Sequence, residues 1–381
     1  MVLIIFHHVL FVGPFINILD MTSSDVKAVL NIDGPKYGLA NFNAVHICLI
    51  DDHHVAVVVL GISNDHILIF STDKSRDIVS HEAVDDEHIK SIALKGDYVY
   101  MGFETGQIGR INKKHLLKGK FQREMIKIEI ATNSPKPVLS IIFDAKNVLL
   151  ASGRFLYQYP LEFSNRKIDG LIKHLHLQQR INCLVTLPNE GQFAAFFQCA
   201  PEVHIVNFET FDTVCVITFG DKIRELMPYC QSSDRRVTSM CVVYDVLWLG
   251  TGSGHIFIYD LSQKDQQPEL LTVFQPYKME LRKLCLWNVA PNKDEHGVKY
   301  LVVSTGKELN PLAFAPNHAS KTLCQLTSGV PVEEKCRTLQ RKSPTPTVTS
   351  FDETLKNPEG KVILMWHATN AKTMRQYLAD Y

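Results

Sequence analysis

Residues 246–261 read VLWLGTGSGHIFIYDL. Two runs rich in β-branched and aromatic residues flank a short Gly/Ser/Thr stretch. Such runs form strands, and the residues between them tolerate the positive φ of a tight turn, so the segment predicts a β-hairpin. Moving outward, Val237–Val243 reads as a strand before the hairpin and Glu269–Phe274 as a strand after it. Leu281–Trp287 then begins the next unit. The four strands of one unit are labelled a to d, with the hairpin as b–c.

Weaker copies of the b–c hairpin recur along the chain. They pair Val55–Leu60 with His66–Phe70, Tyr98–Gly102 with Ile108–Ile111, and Val148–Ala151 with Phe155–Tyr159. They also pair Gln192–Phe197 with Val203–Phe208 and Tyr300–Ser304, through a turn containing Gly306, with Pro311–Ala315. The turn centres lie near 64, 106, 153, 201, 253 and about 308. A small sheet repeating at that period cannot bury its faces alone and stacks on its neighbours, which is how β-propeller blades are arranged.

At the N-terminus, Val9–Val12, Gly13-Pro14 and Phe15–Asp20 make a b–c hairpin, with Val26–Ile32 as strand d. The chain is therefore expected to open in mid-blade. Lys361–His367 (KVILMWH) is a strand left over, expected to complete the N-terminal blade and close the ring. The fold predicted is all-β, a seven-bladed β-propeller over residues 1–368 with its ring closed between N- and C-terminal strands. A separate C-terminal blade would make eight. Residues 329–360 form a polar insertion, and residues 369–381 a tail that is either a short helix or a last strand.

The bulk numbers limit the function. Of 381 residues, 45% are hydrophobic and 21% charged, so the chain has ample material for a core. Lys+Arg and Asp+Glu are both 40, and this balance gives no field favouring nucleic acid or an anionic membrane. The nine Cys contain no C-x-x-C pair, and Cys48, Cys183, Cys199, Cys215, Cys241 and Cys285 sit in apolar runs. They are expected as reduced core residues, which suits the cytoplasm. The apolar start of the chain lacks the basic region and cleavage site of a signal peptide, and His7, His8, Gly13 and Pro14 interrupt it as a membrane span.

Several motifs suggest chemistry and fail on context. Gly250, Gly252 and Gly254 space as G-x-G-x-G, but a strand follows them where a dinucleotide site needs a helix, so they are assigned to the hairpin turn. Adjacent His in a strand point to opposite faces, so His7-His8 and His53-His54 do not chelate as pairs. His174 and His176 share a face of a strand that reads as exposed, without a third ligand. No kinase, hydrolase or zinc-protease signature is present. The chain is expected to be no enzyme and to need neither metal nor cofactor.

Three segments carry functional expectations. Thr105, Gln107, Arg154, Ser253, His255 and Lys307 lie on or beside the b–c turns and are expected to line a partner face. Lys113, Lys114, Lys118, Lys120 and Arg123 make a basic loop suited to an anionic partner. Ser343 and Thr345 precede prolines next to Arg341 and Lys342, a setting for phosphorylation.

The segment LWLGTGSGHIFIYDL resembles a WD-repeat blade with Tyr259-Asp260 in the Trp-Asp position. Its L-W-x-G-T-G-x-G-x-I-x-I-Y-D phrasing and the K-V-I-L-M-W-H-A run are similar to the C-terminal propellers of Roco leucine-rich-repeat kinases and of some Rho guanine-nucleotide exchange factors. The resemblance implies a protein–protein interaction scaffold, the propeller module of a larger signalling protein. The family's kinase and GTPase residues have no counterpart here. Two alternatives stay open: a propeller-fold enzyme with its site at the channel mouth, and a regulatory or self-associating element for a kinase.

Overall fold

The structure, a computed structural model, describes residues 2–5, 8–12, 16–20, 26–30, 44–51, 53–60, 65–71, 78–84, 87–120, 126–129, 136–161, 171–187, 191–263, 266–288, 300–307, 310, 348–350, 361–367 and 370–379. Among these residues the strands form seven four-stranded sheets.

The first sheet holds β1 (Val2–Ile5), β2 (His8–Val12), β3 (Ile16–Asp20) and β4 (Val26–Leu30). The second holds β5 (Ala44–Asp51), β6 (His54–Val59), β7 (His66–Ser71) and β8 (Ile78–Ala83). The third holds β9 (Ile89–Lys95), β10 (Tyr98–Phe103), β11 (Gln107–Asn112) and β12 (Ile126–Glu129). The fourth holds β13 (Val138–Phe143), β14 (Asn147–Ser152), β15 (Phe155–Pro160) and β16 (Lys173–His176). The fifth holds β17 (Ile181–Thr186), β18 (Gln192–Phe197), β19 (Glu202–Asn207) and β20 (Thr213–Thr218). The sixth holds β21 (Val237–Val243), β22 (Val246–Thr251), β23 (Ile256–Asp260) and β24 (Glu269–Phe274). The seventh holds β25 (Leu281–Asn288), β26 (Tyr300–Lys307), β27 (Val348–Ser350) and β28 (Lys361–His367). Three short helices accompany them among the described residues: α1 (Lys113–Leu117), α2 (Gly220–Leu226) and α3 (Ala371–Ala379). The chain divides into two compact units between Leu184 and Val185.

Burial explains why the hairpins were so legible. The middle strands are covered on both faces, so β22 and β23 are buried at every residue and read as continuous apolar runs. Outer strands are covered on one side at most. β8 (IVSHEA), β16 and β20 are largely half-buried or exposed.

Neighbouring sheets pack face to face within each unit. In the first, Ala56, Val58 and Ile69 meet Val99, Met101 and Ile111, and further on Tyr100 and Ile108 meet Ile141, Leu150 and Tyr157. In the second, Trp248, Ile256 and Ile258 join Leu281, Leu284 and Val302. Trp248 and Tyr259 are core residues at 0% and 5% exposure.

A buried serine on strand a repeatedly ties one sheet to the next. Ser91 Oγ donates to the Val138 carbonyl at 2.8 Å. Ser140 Oγ accepts from Leu184 N–H at 3.1 Å, and Ser239 Oγ accepts from Leu284 N–H at 3.0 Å. A glycine on strand b allows the same approach. A Cβ on Gly250 would overlap Leu281 Cδ2, and one on Gly306 would overlap the Tyr277 ring. Gly250 therefore lies in β22 for close packing, and only Gly254, at φ +78, needs glycine's freedom in the turn.

Both chain ends depart from the sequence expectation. Val2–Ile5 pairs with β2, so the first sheet has a strand a of its own and the chain does not open in mid-blade. Lys361–His367 pairs with β26 over Leu301↔His367 to Lys307↔Lys361, so it serves as the third strand of the last sheet and completes no N-terminal one. Val348–Ser350, from within the polar insertion, takes the outer position, giving the order β25-β26-β28-β27. Gly306 lies inside β26 instead of a turn. Pro311–Ala315 lies outside the described residues.

Cys48 and Cys241 are buried as expected, Cys183 and Cys215 are half-buried, and Cys199 is exposed. Burial pushes the Cys48 thiol up to about 12, leaving it protonated at neutral pH.

Candidate interaction surface

In the first unit, Ser91 near the start of β9 bonds Val138 at the start of β13. The two inner strands thus begin at the same end, and the b–c turns of the third and fourth sheets emerge together. Thr105 is exposed there and its Oγ1 donates to Glu87 Oε1 at 3.0 Å. Gln107 is half-buried as the first residue of β11. Arg154 is exposed in the β14–β15 turn, where its carbonyl accepts from Leu177 N–H at 2.8 Å. Gly153 adopts φ +61 in that turn. The backbone is fixed while the Thr105 and Arg154 side chains face water.

The second unit corrects the expectation for Ser253 and His255. They are only 3% and 4% exposed, so they brace the turn and present no surface. Ser253 Oγ lies 2.8 Å from His255 Nδ1 and 3.0 Å from Thr251 Oγ1, and Thr251 Oγ1 accepts from His255 N–H at 3.1 Å. The reason is long-range. The connection after α2 lies over the turn, with Gly252 N–H donating to Arg236 O at 3.0 Å and Ser253 N–H to Asp234 O at 2.9 Å. On the other side, Gln275 Nε2 donates to Ser253 O at 2.8 Å.

These connections carry the exposed groups that sequence reading missed. Tyr229 is 100% exposed, Leu226 45% and Met279 48%. No periodic pattern marks them, since they lie in irregular chain or at the end of a helix of about two turns. Their only local signal is an apolar residue within a polar stretch.

The basic segment is part helix. Asn112 caps α1, its side chain accepting from Lys114 N–H at 2.9 Å. Lys113 pairs with Asp97 at 3.1 Å, whereas Lys114, Lys118 and Lys120 are exposed. Arg123, Ser343 and Thr345 lie outside the described residues. Lys307 is the last residue of β26, opposite Lys361 in the ladder. His174 and His176 are exposed on β16, stacked on Tyr157 and Phe155 at 6.5 and 4.6 Å between ring centroids. Among the described residues no helix is long and apolar enough to cross a membrane.

No family model matches the chain, and no curated protein matches it either. Solved structures do. A chain in the crystal structure of a mitotic checkpoint complex superposes with a TM-score of 0.58 at 11% identity, over 78% of this chain and 83% of that one. The computationally designed Ika8 protein superposes with a TM-score of 0.51, also at 11% identity, over 80% of this chain and 91% of its own. At that identity the likeness concerns the fold alone. Together with the repeated four-stranded sheets, it makes this a β-rich, propeller-like protein.

Proposed function

We propose that this chain is a non-catalytic protein-interaction module whose seven sheets are the blades of a WD-type propeller. The observation that carries the reading is the paired turn end of the third and fourth sheets. There, exposed Thr105 and Arg154 stand on backbone fixed by Leu177 and by the packed inner strands. A rigid scaffold with polar turn residues is the usual arrangement for recognition by loops. The similarity to a chain of a multi-protein complex supports the same direction. The Roco-like and exchange-factor-like phrasing of residues 247–260 favours a setting within a cytoplasmic signalling protein.

The test is co-purification of the full chain from cells, quantified against Arg154→Glu and Thr105→Arg variants. Both residues are exposed, so the melting temperature should not move. A partner recovered in stoichiometric amount should fall at least fivefold with the variants. Equal recovery would remove the turn end from the proposal. A specific turnover by the purified chain would replace it with an enzymatic one.

The exposed Lys114, Lys118 and Lys120 favour a second reading at the opposite ends of the strands, where an anionic segment would dock. Binding there should weaken steeply with salt and with lysine-to-glutamate changes.

A further inference from the structure

Nine large apolar side chains are exposed among the described residues, and three of them, Leu226, Tyr229 and Met279, come from the two connections that flank the Thr251–His255 turn. The contacts that gather them are specific. Gln275 Nε2 reaches both the Ser253 carbonyl at 2.8 Å and Met227 Sδ at 4.0 Å, holding the Leu226–Tyr229 stretch beside the turn. A Cβ on Gly254 would overlap the carbonyls of Tyr277 and Met279, and one on Gly252 would overlap the Ser233 carbonyl. Both connections therefore lie against one turn, with their apolar side chains facing water. Clustered exposed Tyr and Met are the composition of an interface core and cost free energy if nothing covers them.

The charges at this end are unevenly used. Lys222 pairs with Glu225 at 2.6 Å, Arg224 with Asp221 at 2.7 Å, and Arg236 with Glu280 at 2.7 Å. Asp234 Oδ2 accepts from Gln231 N–H at 2.7 Å. Every acid of these connections is thus engaged. Arg235 meets only Ser232 Oγ, at 3.3 Å, and Lys278 is exposed; neither has a carboxylate partner among the described residues.

We propose that Leu226, Tyr229 and Met279, with Arg235 and Lys278 beside them, form a docking surface for an acidic peptide segment that presents apolar side chains. The inference rests on the interaction-module reading and gives that module a partner chemistry. Apolar anchors would cover the Tyr229 and Met279 side chains, and carboxylates would pair with Arg235 and Lys278, the cations left over.

A displayed library of random 12-residue peptides selected on the full chain tests this. Enriched peptides should combine Leu, Ile, Phe or Trp with an excess of Asp and Glu. The synthesised peptides should bind Tyr229→Ala/Met279→Ala at least tenfold more weakly at an unchanged melting temperature. Arg235→Glu/Lys278→Glu should turn the preference towards basic peptides. No enrichment, enriched peptides without acids, or equal binding to the alanine variant would overturn the proposal. A dimer seen by light scattering and dissolved by the same alanine variant would overturn it in favour of a second copy as occupant. If Arg154-dependent partner recovery persists while the peptides fail, this surface alone is wrong; if both fail, the module reading falls too.

Discussion

Asp65, fully buried, accepts a hydrogen bond from His88 Nδ1 at 2.9 Å, while its other carboxylate oxygen accepts from Ile89 N–H at 2.7 Å. The pair joins the start of β7 in the second sheet to the start of β9 in the third, and the Val84 N–H bond to Asp65 O at 2.8 Å ties down the chain between. His88→Ala leaves a buried carboxylate short of a partner and should destabilise by about 3 kcal/mol. Asp65→Asn keeps an acceptor for one donor and should cost about 1–2 kcal/mol. Urea denaturation of the full chain decides; unchanged midpoints for both would show the pair to be idle.

Three glycines should differ in the order their surroundings dictate. Gly254→Ala puts a Cβ on backbone carbonyls at φ +78 and should cost about 3 kcal/mol or more. Gly306→Ala meets the rigid Tyr277 ring, which is buried with its hydroxyl 2.7 Å from Ser304 Oγ, and should cost about 2 kcal/mol. Gly250→Ala meets the Leu281 side chain, closest at Cδ2, which can turn aside more readily than a ring or a carbonyl, and about 1 kcal/mol is expected. Thermal melts of the three variants check the order, and a Gly250→Ala effect larger than the others would contradict it.

His66 and His81 form a pH-sensitive pair. Their nearest nitrogens are 3.0 Å apart, their centroids 5.2 Å apart and their planes 4° apart. The centroids are much farther apart than the nitrogens, so the rings lie edge to edge in one plane, and one neutral ring donates to the other. Burial, and for His66 also the His81 charge, holds both below the ordinary histidine value, although Asp65 and Glu82 pull in the other direction. The unfolded chain then takes up protons first as pH falls. Stability should decline from about pH 6.5 downward, reach its full loss below the folded-state values, and show no such loss above neutrality. His81→Gln should flatten the pH dependence of the denaturation midpoint between pH 7.5 and 5. An unaltered profile would remove the pair from the account.

Helix α3 is docked by two different devices. Met374 is fully buried in the cluster around Trp248, and Arg375 bonds the buried Asp260 at 2.5 Å and Glu269 at 2.6 Å. Asn370 caps the helix through Thr373 N–H at 2.8 Å. Met374→Ala should cost about 2–4 kcal/mol through its cavity. Arg375→Ala should cost about 1 kcal/mol, since the Arg375 side chain is 44% exposed and Asp260 keeps its bond from Ser262 N–H. Limited proteolysis near residue 370 should accelerate in the same order.

The sequence by itself determined the hairpins. Val246–Thr251 with Ile256–Asp260, and Gln192–Phe197 with Glu202–Asn207, follow from runs of apolar, β-branched and aromatic residues and from turn chemistry, because neighbouring strands of one hairpin are coded by adjacent residues. Glu269–Phe274 was equally legible. The tertiary structure decided which sheet a lone strand joins: Lys361–His367 carries the same apolar pattern whether it pairs with β2 or β26, and the choice depends on edges distant in sequence. It also decided what the b–c turns expose. Ser253 and His255 read as surface turn residues, yet the connections after α2 and before β25 cover them and turn Leu226, Tyr229 and Met279 outward. Local pattern fixes the strand, whereas burial of a turn depends on the chain that folds over it.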